Sequence, residues 1–178
     1  MSDDGRYYGK YRATVINNVD PESRGRIQAI VPDVLGLIPS TYALPCVPVA
    51  GKQSGAFFVP EIGAGVWIEF EQGDPDYPIW TGCFWGVVAE VPLLGVASPP
   101  PMPNMVLETT GHNSLTVFGL PAGGVAISAG PLGPSPSITV MPTGIVLKCA
   151  SSIVSITPAG VDIVGAKITL NGAALVVT

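Results

Sequence analysis

The sequence predicts an all-β protein in two parts, a five-stranded barrel followed by a stack of repeated strand pairs wound together from several chains. Three observations carry that prediction. Apolar and polar residues alternate with a period of two, and no stretch shows the 3.6-residue period of a solid helix. Glycine (22) and proline (19) interrupt the chain too often for long helices. The segment Ser137–Val164 also repeats its own pattern, so that Ile138 falls on Val154 and Gly144 on Gly160.

Composition narrows the function classes. Apolar residues make up 47% of the chain, which excludes disorder. The net charge of −5 opposes nucleic-acid binding, which needs a basic surface. Cys46, Cys83 and Cys149 are odd in number and far apart, which suggests small buried thiols rather than a disulfide framework or a zinc site. The start, "MSDDGRYYGKYR", is polar and unlike a secretory signal. No unbroken apolar run approaches the roughly 20 residues of a membrane helix. Assembly in the producing cell's cytoplasm is the expectation.

Charge divides the chain. Beyond Asn104 the only Asp, Glu, Lys or Arg residues are Glu108, Lys148, Asp162 and Lys167. That is too little to cover a monomer's surface. Between the halves stands "VASPPPMPNM", whose prolines favour a stiff extended spacer. The expected organisation is a barrel over 1–95, a linker over 96–105 and a repeat domain over 106–178.

The barrel strands read in order. "YYGKYRATVINN" is the first, and "GRIQAIVPD" alternates as the second after the turn "DPESRG". "ALPCVPVA" is short and broken by proline, so it belongs at an edge. "GVWIEFEQG" sets Val66, Ile68 and Phe70 against Trp67, Glu69 and Glu71, and "YPIWTGCFWG" follows the turn "GDPD". Five short strands in about 80 residues fit an OB-type barrel.

In the second part each repeat is a strand, a Pro-x-Gly turn and a strand. Ile138, Val140, Ile145 and Leu147 are replaced one repeat later by Val154, Ile156, Val161 and Ile163, and Ile168 and Leu170 continue the pattern before the "NG" turn at Asn171–Gly172. Thr139, Lys148, Ser155, Asp162 and Lys167 take the alternate, outward positions. A strand pair this short cannot bury its apolar face alone. An intertwined homotrimeric β-helix solves this by turning the ten apolar residues inward as a trimer core. A monomeric β-solenoid is the other solution.

The runs "SRGRIQAIVPD" and "FFVPEIGAGVWIEFEQGDPDYPIWTGCFWG" resemble the OB domain of phage baseplate assembly protein V and of the VgrG spike proteins. The motif positions are Gly25, Arg26, Pro60, Gly63, Phe70, Gly73, Asp74, Pro78 and Gly82. The resemblance implies a trimeric β-helix needle after the barrel. It implies a structural central spike of a contractile phage tail or phage-like injection particle, driven through the target cell envelope. Only about seven residues precede the first strand, so a separate baseplate hub protein is implied under the tail tube. The linker has no room for a lysozyme domain. The lone histidine, His112, cannot form the His-x-His iron site of some short spikes, so no metal or cofactor is expected. The apolar end Leu175, Val176, Val177 and Thr178 is the expected docking point for a PAAR-type tip cap, and the target membrane is met transiently.

Other site readings are weaker. Glu61, Glu69, Glu71, Asp74 and Asp76 cluster in sequence, but they read as solvated strand and turn residues rather than a glycosidase pair. His112 has no nucleophile elbow to serve. "GLPAGG" lacks the lysine of a phosphate loop. Trp67, Trp80, Trp85, Tyr77, Phe84, Phe57 and Phe58 suit barrel core and inter-subunit contact better than a stacking platform, since no basic groove accompanies them. Arg24 and Arg26 have acids of the barrel or of the hub as candidate partners. The chain is expected not to be an enzyme. The competing function is an OB binding module for nucleic acid or glycan on a β-solenoid stalk.

Overall fold

The computed structural model describes residues 5–98, 100–131, 135–170 and 175–177, with the backbone alone at 170 and 175–177. Two compact units divide between Glu90 and Val91. The proline-rich segment belongs to the second, because the Asn104 side chain donates to the Leu94 carbonyl (2.8 Å) and accepts from the Gly119 N–H.

All five strands expected in the first unit are present. They are β1 (Tyr11–Asn17), β2 (Gln28–Ile30), β3 (Leu44–Pro45), β6 (Gly65–Phe70) and β7 (Pro78–Phe84), with a small hairpin β4 (Ala50–Gly51) and β5 (Ser54–Gly55) between β3 and β6. The sheet order is β2-β1-β6-β7-β3, with β3 parallel to β7. Ile27 and Ala43 then exchange backbone hydrogen bonds of 3.2 and 2.7 Å, joining the approach to β2 with the approach to β3 and closing the ring. Closure removes the free edges that a small sheet would expose. Residue alternation puts Ala13, Val15, Val66, Ile68, Phe70 and Trp80 inside, with Ile27, Ala29, Val31 and Ala43. The end of the expected second strand is instead a single helical turn, α1 (Pro32–Leu35), because Pro32 lacks the N–H a strand ladder needs.

In the second unit a short helix, α2 (Leu93–Val96), precedes seven strands: β8 (Met105–Glu108), β9 (Ser114–Val117), β10 (Val125–Ser128), β11 (Ser137–Met141), β12 (Gly144–Cys149), β13 (Ser152–Thr157) and β14 (Gly160–Val164). Each pairs antiparallel with the next in a continuous meander. Each repeat is therefore one hairpin, not a coil: a solenoid would stack parallel strands one repeat apart, and the described residues contain no such pair. A separate hairpin joins β15 (Ile168–Leu170) and β16 (Leu175–Val177). The "NG" turn lies outside the described residues.

Candidate functional site

The eight repeat residues meet on one face of the meander. Ile138 stands opposite Leu147, Leu147 opposite Val154, and Val154 opposite Ile163. Val140, Ile145, Ile156 and Val161 form a second column beside them. The same registers carry the columns back through β10, β9 and β8, adding Ile127, Leu115 and Leu107 to the first and Val125, Val117 and Met105 to the second. Sequence reasoning missed these six residues because unequal turns break the repeat spacing there. Their signal was the plain alternation in "MVLE", "SLTV" and "VAIS".

This face is open in the single chain. Seven of the eight repeat residues are between 37% and 61% exposed, and Val154 is half-buried. A groove of about 650 Å³ crosses the first column at Ile127, Ile138, Leu147, Val154 and Ile163. The other face mixes Thr116, Thr139, Lys148, Ser155 and Asp162 with Val146, Ile153 and Val164 and is the more sheltered from β8 to β13: Thr116 is fully buried, and its hydroxyl has no partner among the described residues. A lone domain places its faces the other way round. Contiguous apolar surface of this extent marks an interaction site. Of the remaining expected core positions, Ile168 and Leu170 sit in β15, outside the seven-stranded sheet. Of the expected tip residues, Leu175, Val176 and Val177 form β16, and Thr178 lies outside the described residues.

The barrel motif residues hold turns. Asp20 organises the first loop. Its carboxylate accepts from Arg26 Nε (3.0 Å) and Nη2 (2.6 Å) and from the N–H groups of Glu22, Arg24 and Arg26. The bidentate guanidinium holds the Asp20 carboxyl well below the usual carboxylate range, against the opposing effect of desolvation. Arg26 also lies over the Tyr42 ring and, like Arg24, pairs with Glu22. Gly25 has φ +77°, and a Cβ there would come within 3.3 Å of Phe57; its carbonyl accepts from Trp80 Nε1. Gly63 (φ +90°) turns the chain so that its N–H reaches Val15, while the Pro60 carbonyl accepts from Asn18. Phe70 packs with Tyr7 and Tyr11. Gly73 (φ +80°) sits against Tyr7 and Tyr8, where a Cβ would find contacts near 3.0 Å. Asp74 accepts from the Asp76 N–H, Pro78 opens β7 inside the barrel, and Gly82 marks the bulge opposite Trp67.

Several expectations are corrected. Cys46, Cys83 and Cys149 are exposed, because each stands at or beside a strand end instead of in the barrel interior. Partial burial pushes the Cys83 thiol up. Glu69 and Glu71 do not share a strand face: Glu69 pairs with Lys10 (2.9 Å), whereas Glu71 opens a 3-10 turn. Of the aromatics, Trp80 is core, Trp67 and Phe84 pack against each other at a tilt beneath Arg12, and Phe57, Phe58, Tyr77 and Trp85 are exposed. His112 pairs with Glu108 (2.7 Å) in the β8–β9 turn.

A closed five-stranded barrel followed by a sheet with an uncovered apolar face defines an assembly protein whose second half is completed by other copies. Comparison with protein families agrees. Residues 11–85 match the type VI secretion system/phage-baseplate injector OB domain, and residues 104–176 match the phage baseplate V C-terminal trimerisation domain. The chain belongs to the phage baseplate V family of VgrG-like spike proteins. The second match makes the homotrimer its assembled form. No curated protein matches the chain.

Proposed function

We propose that this protein is the central spike of a contractile phage tail or phage-like injection particle. Three copies bring their apolar sheet faces together about one axis as a rigid needle, and the barrels dock on a separate hub beneath the tail tube. Contraction drives the needle through the target envelope, and the far end, at β15–β16, receives a PAAR-type cap. The observation that carries this reading is the pair of apolar columns, seven strands long and uncovered in a single chain. In the trimeric β-helix of this proposal each chain supplies strands β8 to β14 as an antiparallel meander along one side of the needle. The role is mechanical, and no cofactor enters it. The binding-module reading loses its solenoid stalk, since the sheet is an antiparallel meander.

The test is mass in solution with gel behaviour. A trimer that resists unboiled SDS, and that is lost when 137–178 are deleted while the barrel stays folded, supports the spike. A stable, soluble monomer of the full chain overturns it.

A further inference from the structure

The outer face of β1, β6 and β7 carries a second, smaller site. The Arg12 guanidinium lies 5.1 Å from the Trp67 ring and 4.8 Å from the Phe84 ring, and the two rings are 5.1 Å apart. Arg12 has no carboxylate partner among the described residues, whereas its neighbour Lys10 is neutralised by Glu69. Just beyond Phe84, Trp85 is 63% exposed. A cation held on two packed aromatic rings is already ordered, so binding a carboxylate there costs little further side-chain entropy. Arginine and tryptophan are also enriched among the residues that carry most of the binding energy at protein interfaces.

The same barrel carries the complementary chemistry elsewhere. The β6–β7 turn presents Glu71, Asp74 and Asp76, none of them in an ion pair among the described residues, beside the exposed Tyr77. That turn is rigid: Gln72 and Gly73 both have positive φ, and the Gly73 carbonyl accepts from the Tyr7 N–H. Contacts around a three-fold axis are heterologous, so each copy must offer two different patches that fit each other. This barrel has one cationic aromatic patch and one acidic tyrosine-edged patch. The short segment between the two family matches tethers the barrels of a trimer at an effective concentration on the order of millimolar.

We propose that the Arg12–Trp67–Phe84 face of each barrel receives the acidic 71–76 turn of a second copy, closing the three barrels into a ring. The inference rests on the trimer that the C-terminal family match defines, and the experiment separates the two.

The full chain carrying R12K is treated with a zero-length carbodiimide, which joins an amine to a carboxylate already in contact. The expected result is covalent chain dimers and trimers on a denaturing gel, with mass spectrometry placing the bridge between position 12 and the 71–76 turn. Such a bridge within one chain only, to another site, or none at all, in a sample whose mass is still trimeric, overturns the ring and leaves the spike standing. A native chain that is not trimeric overturns both. As a second measurement, R12E lowers the barrel's melting midpoint by about 4 °C, and adding D74K and D76K restores it. Failure of the charge swap to restore the midpoint, with the trimer intact, also counts against the ring.

Discussion

The barrel buries its apolar residues within one chain, and the C-terminal sheet leaves its own uncovered. All ten buried apolar residues of the described structure lie between Ala13 and Trp80. The only fully buried side chain described beyond them is Thr116, on the face of the second sheet opposite the apolar columns. Both units are built from short strands with alternating side chains, so alternation does not separate them. Closure does. The Ile27–Ala43 bridge curls five strands into a ring with an inside, whereas seven strands in a meander have two faces and two edges. The barrel is therefore a folded object as one chain, and the sheet becomes one only with its copies.

The sharpest way to break this contrast is a charge in the apolar columns. Leu147→Asp places a carboxylate opposite Val154 and Ile138, where the trimer would bury it without a partner. An unpaired buried charge costs several kcal/mol per copy, and three copies share the axis. Sedimentation should show the trimer lost, while the near-ultraviolet dichroism of the barrel tryptophans is unchanged. A Leu147→Asp chain that still sediments as a trimer places the interface elsewhere.

That asymmetry was only partly legible in the sequence. The repeat at Ser137–Val164 announced the columns because the Pro-x-Gly turns at Pro142 and Pro158 keep a constant spacing. The same columns through Leu107, Leu115 and Ile127 were hidden, since the turn around His112 and the Phe118–Gly124 connection have different lengths. The five barrel strands were legible from alternation and turn residues, but their closure was not, because one isolated bridge between Ile27 and Ala43 leaves no periodic trace. Asp20 was also missed. A single aspartate ahead of a proline reads as turn chemistry, and its bond to Arg26 appears only when the loop folds back. The repeat shows that each strand pair needs partners, but its spacing does not show that neighbouring strands of one chain pair as a continuous meander.

The second largest effect tests the opposite unit. Trp80→Ala removes a core ring and its hydrogen bond to the Gly25 carbonyl, and should cost the barrel about 3–5 kcal/mol. Denaturant unfolding followed by the fluorescence of Trp67 and Trp85 should show an early barrel transition, with the trimer mass unchanged. If the trimer dissociates together with the barrel, the two units are not independent.

A smaller effect separates the units by pH. Asp20 is held ionised by Arg26 in the folded barrel, below its ordinary value near 4. A depressed carboxyl contributes stability in full above the unfolded value and loses it as pH falls through the folded one. The gap in melting midpoint between the native chain and Asp20→Asn should therefore stay constant from neutral pH to about pH 4, then shrink in stronger acid. A gap that already closes between neutrality and pH 5 would show that another group titrates. The trimer, whose sheet carries few charges, should keep its mass across this range.

The smallest expected effect is the most exacting for the direction of the sheet. Lys148 stands between Ser137 and Ile153 on the face opposite the columns and has no charged partner among the described residues. With the columns turned to the axis, Lys148 reaches water past a half-buried stem, and Lys148→Gln should change the unfolding free energy of the trimer by no more than about 0.5 kcal/mol. With the sheet reversed, three ammonium groups would crowd one axis in an apolar interior, and removing them would stabilise the trimer strongly. The two orientations thus predict different signs and sizes for one substitution. Thr116 adds to the argument: among the described residues it is the one side chain of the second unit that a single chain buries fully, and it lies on the Lys148 face, whereas Leu147 and Ile163 across the sheet remain 41% and 50% exposed.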